Sequence, residues 1–372
     1  WPRHILCTTD FSRLPFLDFQ VPHMAVDDPH SEPLLAKRIS PPALGFGKGM
    51  LVRATVLLQF GGTAFVHGLF LIGLAGRLLP FRIWAGGLTI YFLDIFFSGA
   101  EKSHRRKWGA FIRSFIPSSA LEYFNCKLLV SENVELKAEE QYLFGVHPHG
   151  ILPYGAINLY AMNSSFLKRF PGLQVLPCAA SVCFMTPFIR EYLLWTGHMD
   201  ASRSVMSKNL ASGKTLAIIP GGEAEALRTE NGSDAIILQG RRGFVALALQ
   251  HGVPLVPTYT FGLVDTFWIS KSFLFRFRNW LQKNLKVSIP VFWGMAGTPM
   301  PLRRTLSLAV GAPIPVPPNP SGQKPDEALV DEYHTKYCAA LEALFEEHKG
   351  AAGYEDRQLL VRAVPGHRAK KP

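Results

Sequence analysis

The sequence predicts an α/β domain built on a mixed sheet, preceded by an N-terminal membrane-embedded helical hairpin. Three observations carry this. Short apolar runs alternate with helical segments from about Phe111 onward. Two long, nearly uncharged stretches lie side by side ahead of them. The composition is 48% hydrophobic and only 18% charged, against about 25% charged in an average soluble chain. Mean hydropathy is +0.13.

With 372 residues the chain is long enough for a substantial core. Disorder, collagen and coiled coil are excluded by composition, and long apolar runs are too few for a polytopic channel. Five scattered cysteines (Cys7, Cys126, Cys178, Cys183, Cys338) form no C-x2-C pair and read as reduced, buried thiols in a domain facing the cytosol. The chain opens on Trp1, so the lack of a signal peptide carries no weight.

Residues 1–50 are proline-rich and aperiodic, an irregular arm. Residues 51–110 hold the hairpin and its basic exit. Ala54–Gly76 is uncharged and flanked by Arg53 and Arg77; Ile83–Ala100 is uncharged except for Asp94; Pro80 lies in the turn between them. Lys102, His104, Arg105, Arg106 and Lys107 follow, and basic flanks place both ends of the hairpin in the cytosol. The alternative is a buried hairpin in a soluble protein. The hairpin is expected to be embedded, either spanning the bilayer or dipping into it.

Residues 111–349 are read as the main domain and 350–372 as a tail. The uncharged windows Gln141–Leu167 and Phe170–Ile189 are not spans, because prolines and histidines interrupt them; they read as buried strand, turn and helix. Strands are expected at Tyr142–Val146, Leu173–Pro177, Thr215–Ile219, Leu255–Tyr259, Val287–Phe292 and Leu306–Val310. Helices are expected at Ala156–Phe166, Pro187–Trp195, Ser204–Ala211, Gly243–Gln250 and Pro325–Lys349, the last with an apolar stripe through Tyr337.

Three segments carry chemistry. His147-Pro148-His149-Gly150 ends an apolar strand, where ligands bind in α/β sheets. Histidine can take and return a proton near neutral pH. The alternatives are structural histidines or a metal site completed by Glu223 or Glu225. Pro220-Gly221-Gly222-Glu223-Ala224-Glu225 ends another strand with carboxylates that could orient an imidazole, bind substrate, or be solvated in a plain turn. Arg241-Arg242-Gly243 opens a helix and forms either an anion site or a solvated basic turn. Thr266–Pro325 has eight basic and no acidic residues, with aromatics interleaved around Phe273–Lys286; this suits an anionic lipid surface, and no nucleic-acid fold signature is present.

These residues resemble the type-2 diacylglycerol acyltransferase family, which includes monoacylglycerol and wax-alcohol acyltransferases. The matching motifs are His147-Pro148-His149-Gly150, Pro220-Gly221-Gly222-x-x-Glu225 and the long run Arg241-x-Gly243-Phe244-x-x-x-Ala248-x-x-x-Gly252-x-x-Leu255-Val256-Pro257-x-x-x-Phe261-Gly262. Phe170-Pro171-Gly172 and Arg190-Glu191-Tyr192-Leu193 add to them. The chain departs at Asn125, where the family often has proline, and at Ala246, where a basic residue is common. The resemblance implies a glycerolipid-acyltransferase-like sheet and acyl transfer from acyl-CoA to a lipid alcohol, diacylglycerol first, with no metal or other cofactor. It implies His149 as general base ahead of His147, which otherwise positions it or helps hold the oxyanion, and Gly150, Gly221 and Gly222 in the substrate or oxyanion loop. Arg241, Arg242 and Gly243 are then expected on the acyl-CoA phosphates. More distant relatives carry an Asp five residues after the His; here Leu152 and Tyr154 hold those places, so Glu225 is the candidate acidic partner. An endoplasmic reticulum membrane or lipid-droplet location follows from the same resemblance. A non-catalytic lipid-binding or droplet-anchoring protein is the competing class, and oligomeric state is unreadable.

Overall fold

The computed structural model describes residues 41–59, 63–132, 134–270 and 291–363. The arm through residue 40 and the aromatic-basic run Phe273–Lys286 lie outside them.

Three helices open the described chain: α1 (Phe46–Gln59), α2 (Thr63–Leu78) and α3 (Phe81–Phe97). Ala54–Gly76 is therefore divided between two elements. Val52 and Val56 of α1 are fully buried with Ala120, Tyr123 and Phe124, so α1 docks on the domain, and it starts inside the stretch expected to be an irregular arm. Helices α2 and α3 form the hairpin, with Trp84 Nε1 donating to the Ile72 carbonyl at 3.0 Å. The run Phe81–Lys102 is 22 residues, of which α3 is the first 17; at about 1.5 Å per residue α3 itself reaches about 26 Å, just short of a hydrocarbon core of about 30 Å. The apolar run Gly68–Leu78 is shorter.

After α4 (Gly109–Arg113) and α5 (Phe115–Tyr123), the chain builds a seven-stranded sheet. The strands are β1 (Lys127–Val130), β2 (Leu143–His147), β3 (Val175–Ala179), β4 (Met199–Asp200), β5 (Thr215–Ile218), β7 (Leu255–Phe261) and β10 (Ser307–Val310), in the order β1-β10-β7-β2-β5-β3-β4. Strands β7, β2, β5, β3 and β4 run parallel, while β10 is antiparallel to β7. The sheet is mixed, as expected.

Strand β2 is central and buried at every residue, which explains why its surroundings carry no charge. One face packs under α12 (Gly243–His251) and α13 (Glu327–His348), with Phe244, Leu341 and Phe345 in the core. The other face packs on α6 (Ile157–Tyr160) and α7 (Ser165–Arg169) through Leu159 and Phe166. The single helix expected over Ala156–Phe166 is two, because Ser164 caps α7 by accepting from Leu167 N–H at 3.1 Å. Helices α8 (Ser181–Met185) and α9 (Ile189–Thr196) follow β3; α10 (Arg203–Ala211) follows β4; α11 (Gly222–Ala226) follows β5.

Two small sheets stand apart. Of the strand expected at Val287–Phe292, residues 287–290 lie outside the described residues; β9 (Val291–Trp293) covers its end and pairs with β8 (Trp268–Ser270) outside the central sheet. Strand β11 (Leu359–Ala363) pairs in parallel with β6 (Asp234–Gln239). The boundary drawn at 349 therefore stops short. Arg357, nearly buried, lies 2.8 Å from Asp234 and 3.1 Å from Asp265, and these buried charges tie residues through Ala363 into the domain.

Candidate active site

Because β2, β5 and β3 are parallel, their C-terminal ends share one edge of the sheet. The His147–Gly150 segment leaves β2 there, and Pro220–Glu225 leaves β5 beside it. The structure thus brings the first two sequence-predicted segments together.

The two histidines part company. His147 is still in the strand, in register with Tyr259 of β7, and is 0% exposed. Its Nε2 lies 3.1 Å from the Tyr337 hydroxyl of α13, and that hydroxyl also donates to the Gly145 carbonyl at 3.2 Å. A Cβ on Gly145 would overlap the Tyr337 hydroxyl, so glycine admits this contact. Burial lowers the His147 pKa to about 3, which keeps the ring neutral. Of the two places expected for His147, beside His149 or at the oxyanion, the ring takes the enclosed one, inside the strand and against Tyr337.

His149 is only partly buried. Its Nδ1 lies 2.9 Å from the Gly150 carbonyl. An imidazole nitrogen facing a carbonyl must carry the hydrogen, so Nε2 holds the lone pair. Burial lowers its pKa below 6.5, offset in part by that carbonyl. The result is a neutral imidazole whose tautomer is set to accept a proton at Nε2.

Glu225 does not meet either ring through the contacts the structure shows. Its Oε1 accepts from the His149 backbone N–H at 2.5 Å and its Oε2 from the Ile237 N–H at 2.7 Å. The expected carboxylate–imidazole pair is thus replaced by a carboxyl that staples the His149 backbone to β6. The reason is local: α11 turns back so tightly that a Cβ on Gly221 would overlap the Glu225 carboxyl. Burial raises the Glu225 pKa to about 7, against the two N–H donors and Arg241, which favour the charged form.

Each loop glycine has a conformational reason of its own. Gly150 and Gly222 have φ of 64° and 55°, the left-handed region that disfavours a side chain. Gly221 makes room for Glu225.

The arginines diverge. Arg241 Nη2 donates to the Gly221 carbonyl at 3.3 Å and so reaches the loop that holds Glu225. Arg242 points outward, its Nη1 2.5 Å from Asp331 of α13, with both side chains about half exposed. Gly243 begins α12, and nothing crowds the place where its Cβ would stand. Among the described residues, no three His, Cys, Asp or Glu side chains converge as a metal-binding group.

Two contributors were not singled out for the site in the sequence. Tyr337 looked like one more member of an apolar stripe; its hydroxyl finds His147 across 190 residues. The Tyr259 hydroxyl donates to Asp234 at 2.7 Å, which in turn holds Arg357, so the strand beside His147 is braced from the C-terminal segment. No local signal marks either contact.

The family model described as "Diacylglycerol acyltransferase" matches residues 81–362. Human "Acyl-CoA wax alcohol acyltransferase 1" is 33% identical over 285 residues, 73% of this chain and 85% of that protein. "Diacylglycerol O-acyltransferase 2" of Rattus norvegicus is 34% identical over 261 residues, 64% of each chain. The crystal structure of the 1-acyl-sn-glycerophosphate acyltransferase PlsC from Thermotoga maritima aligns with a TM-score of 0.35 and 14% identity, over 70% of this chain and 95% of that one, too loose a superposition to argue from.

Proposed function

The chain belongs to the diacylglycerol acyltransferase family, and from that premise we propose that it is a membrane-bound O-acyltransferase moving a fatty acyl group from acyl-CoA to diacylglycerol, giving triacylglycerol. The observation that carries the chemistry is His149, a neutral imidazole at the sheet edge with Nδ1 tied to the Gly150 carbonyl and its lone pair on Nε2. His149 Nε2 takes the proton of the acceptor hydroxyl as that oxygen attacks the thioester carbonyl. The C–O bond forms, the C–S bond breaks, and the CoA thiolate leaves with the proton returned to it. General base catalysis supplies about 10²–10⁴-fold, and alignment of the two substrates adds the rest.

Glu225 and Tyr337 hold the loop and His147 in place for this step. Arg242 and the N–H of Gly243 bind the CoA phosphates, while Arg241 stays on the Gly221 carbonyl and braces the neighbouring loop. The Arg242–Asp331 pair is half exposed, and such a pair is worth at most about 1 kcal/mol, so a phosphate can displace it. Hairpin α2–α3 sits in the endoplasmic reticulum membrane with the catalytic edge toward the cytosol, and the same hairpin suits a lipid-droplet surface. What supports embedding is the exposure of this run: of the most apolar 18-residue window within Phe81–Lys102 only 11% is buried in the protein.

The relatives are named for different acceptors, wax alcohol in one and diacylglycerol in another. A monoacylglycerol or a long-chain alcohol is therefore the second reading of the acceptor. The test is membranes carrying the protein, labelled acyl-CoA and a panel of diacylglycerol, monoacylglycerol and long-chain alcohol, with products identified by mass. Triacylglycerol as the main product supports the first reading; wax ester or diacylglycerol moves it to the second. No transfer to any acceptor favours the lipid-binding class instead.

A further inference from the structure

Helix α3 is built inside out. Phe81, Ile83, Ile90, Leu93, Phe96 and Phe97 are exposed. The polar side chains Tyr91, Asp94 and Ser98 recur at i, i+3 and i+7, on one stripe with the buried Ile95, and this stripe faces the catalytic domain.

What the stripe meets is a closed set of charges. The Arg190 side chain, only 1% exposed, lies with Nη1 2.9 Å from Asp94 and 3.0 Å from Glu191. Its Nη2 donates to the Asp94 carbonyl at 3.2 Å and to Ser98 Oγ at 3.0 Å. Arg106, past the end of α3, grips the same Asp94 with two bonds of 2.6 and 2.7 Å. The Tyr91 hydroxyl donates to Glu191 at 2.6 Å. It also accepts from Phe188 N–H at 3.2 Å, which donates to Glu191 at 2.8 Å as well. Phe188 is a non-glycine residue at φ 68°, and Gly68 of α2 packs where a Cβ would overlap its ring. Two arginines and two carboxylates balance, so the set can sit beside apolar surroundings without a bare charge.

We infer that Asp94 and Tyr91 of the hairpin, with Arg190 and Glu191 of the domain, are a latch that positions the catalytic edge against the bilayer for a lipid-dissolved acceptor. The inference rests on the acyltransferase reading above. The apolar faces of the hairpin suffice to hold it in lipid; the latch adds orientation, which apolar burial does not supply. Residues 188–191 follow β3, whose end lies two strands from that of β2, about 10 Å at the usual strand spacing. A hairpin free to rock would shift the crevice beside His149 relative to the membrane surface. These four are positioning residues: none of the contacts described joins them to His149.

The experiment uses the full chain in phospholipid vesicles, with Asp94→Asn, Arg190→Gln, their double variant, Arg190→Lys, and Tyr91→Phe, which removes one hydroxyl and no charge. Each is assayed with a long-chain diacylglycerol in the bilayer and a short-chain diacylglycerol dispersed in water. The Michaelis constant for the long-chain acceptor should rise about tenfold in both single charge variants and no further in the double. Tyr91→Phe and Arg190→Lys should show smaller rises of the same kind. Turnover of the short-chain acceptor should stay within about twofold of wild type, and alkaline carbonate should leave every variant in the membrane. Equal losses on both acceptors, additive losses in the double variant, or an unchanged long-chain constant would overturn the latch. Wild-type protein that acylates neither acceptor would defeat the acyltransferase reading beneath it, a result separate from all of these.

Discussion

Replacing His149 and His147 in turn separates chemistry from architecture. The His149 ring makes one hydrogen bond, to the adjacent Gly150 carbonyl, and is partly exposed. Its loss should cost about 1 kcal/mol of stability. As the proton acceptor its loss should lower kcat by about 10²–10⁴-fold. His147 is the reverse: fully buried, bonded to Tyr337 and packed 5.9 Å from that ring. His147→Ala leaves a cavity in the centre of the sheet and should cost about 2–5 kcal/mol, with activity falling as the fold loosens. Radiolabelled acyl transfer in membranes and thermal melting of the purified protein read the two quantities. For His149 the acid limb of activity should lie below pH 6.5, because burial disfavours the protonated ring and keeps the base competent to lower pH. A folded His149→Ala protein with turnover within a few-fold of wild type would refute the assignment. So would a His147→Ala protein that melts normally yet transfers nothing, since that would make the buried ring the base.

Four further outcomes follow from the same geometry. Arg242→Gln should raise the Michaelis constant for acyl-CoA with no change in melting temperature, since its partner Asp331 is half exposed; an effect confined to the lipid acceptor would place this arginine elsewhere. Arg357→Met strands Asp234 and Asp265 as buried carboxylates and should cost about 3–5 kcal/mol, read by urea unfolding; a loss under about 1 kcal/mol would make β11 dispensable. Gly145→Ala should destabilise more than Tyr337→Phe, because the added methyl meets the Tyr337 hydroxyl whereas Phe only gives up its bonds, and the double variant should recover part of the loss. Glu225 stays protonated to about pH 7 in the fold but ionises near 4.5 when unfolded, so the stability this group contributes is full below pH 4.5 and declines as pH rises through 7; Glu225→Gln, which cannot ionise, should flatten that slope, and unfolding curves at pH 5 and pH 8 shifted equally from wild type would contradict the shift.

Much of the sheet was legible in the sequence because its signals are local. Strands β2, β3, β5, β7 and β10 are apolar runs bounded by turn residues, and the structure pairs all five in one mixed sheet, within a residue or two of the expected limits. The meeting of the two polar loops has a topological reason: parallel strands deliver their C-terminal loops to one edge, so motifs at two strand ends become neighbours. Helix boundaries that hang on a single cap were not legible, as Ser164 shows by splitting one expected helix into two.

What the tertiary structure decided was which polar group answers which. Glu225 was expected on an imidazole and instead holds backbone N–H groups of His149 and Ile237, since the tight turn at Gly221 folds its carboxyl inward. Arg241 and Arg242 are adjacent in sequence yet face the Gly221 carbonyl and Asp331. His147 and His149 are titratable rings two residues apart, and only the fold shows that the first is enclosed in the strand while the second is partly exposed at its end. Asp94 looked like a blemish in an apolar stretch until Arg190 and Arg106 closed on it from 96 and 12 residues away. Hydrophobic period is written residue by residue along the chain. The partner of a charge is set by contacts between segments distant in sequence, and no local pattern encodes it.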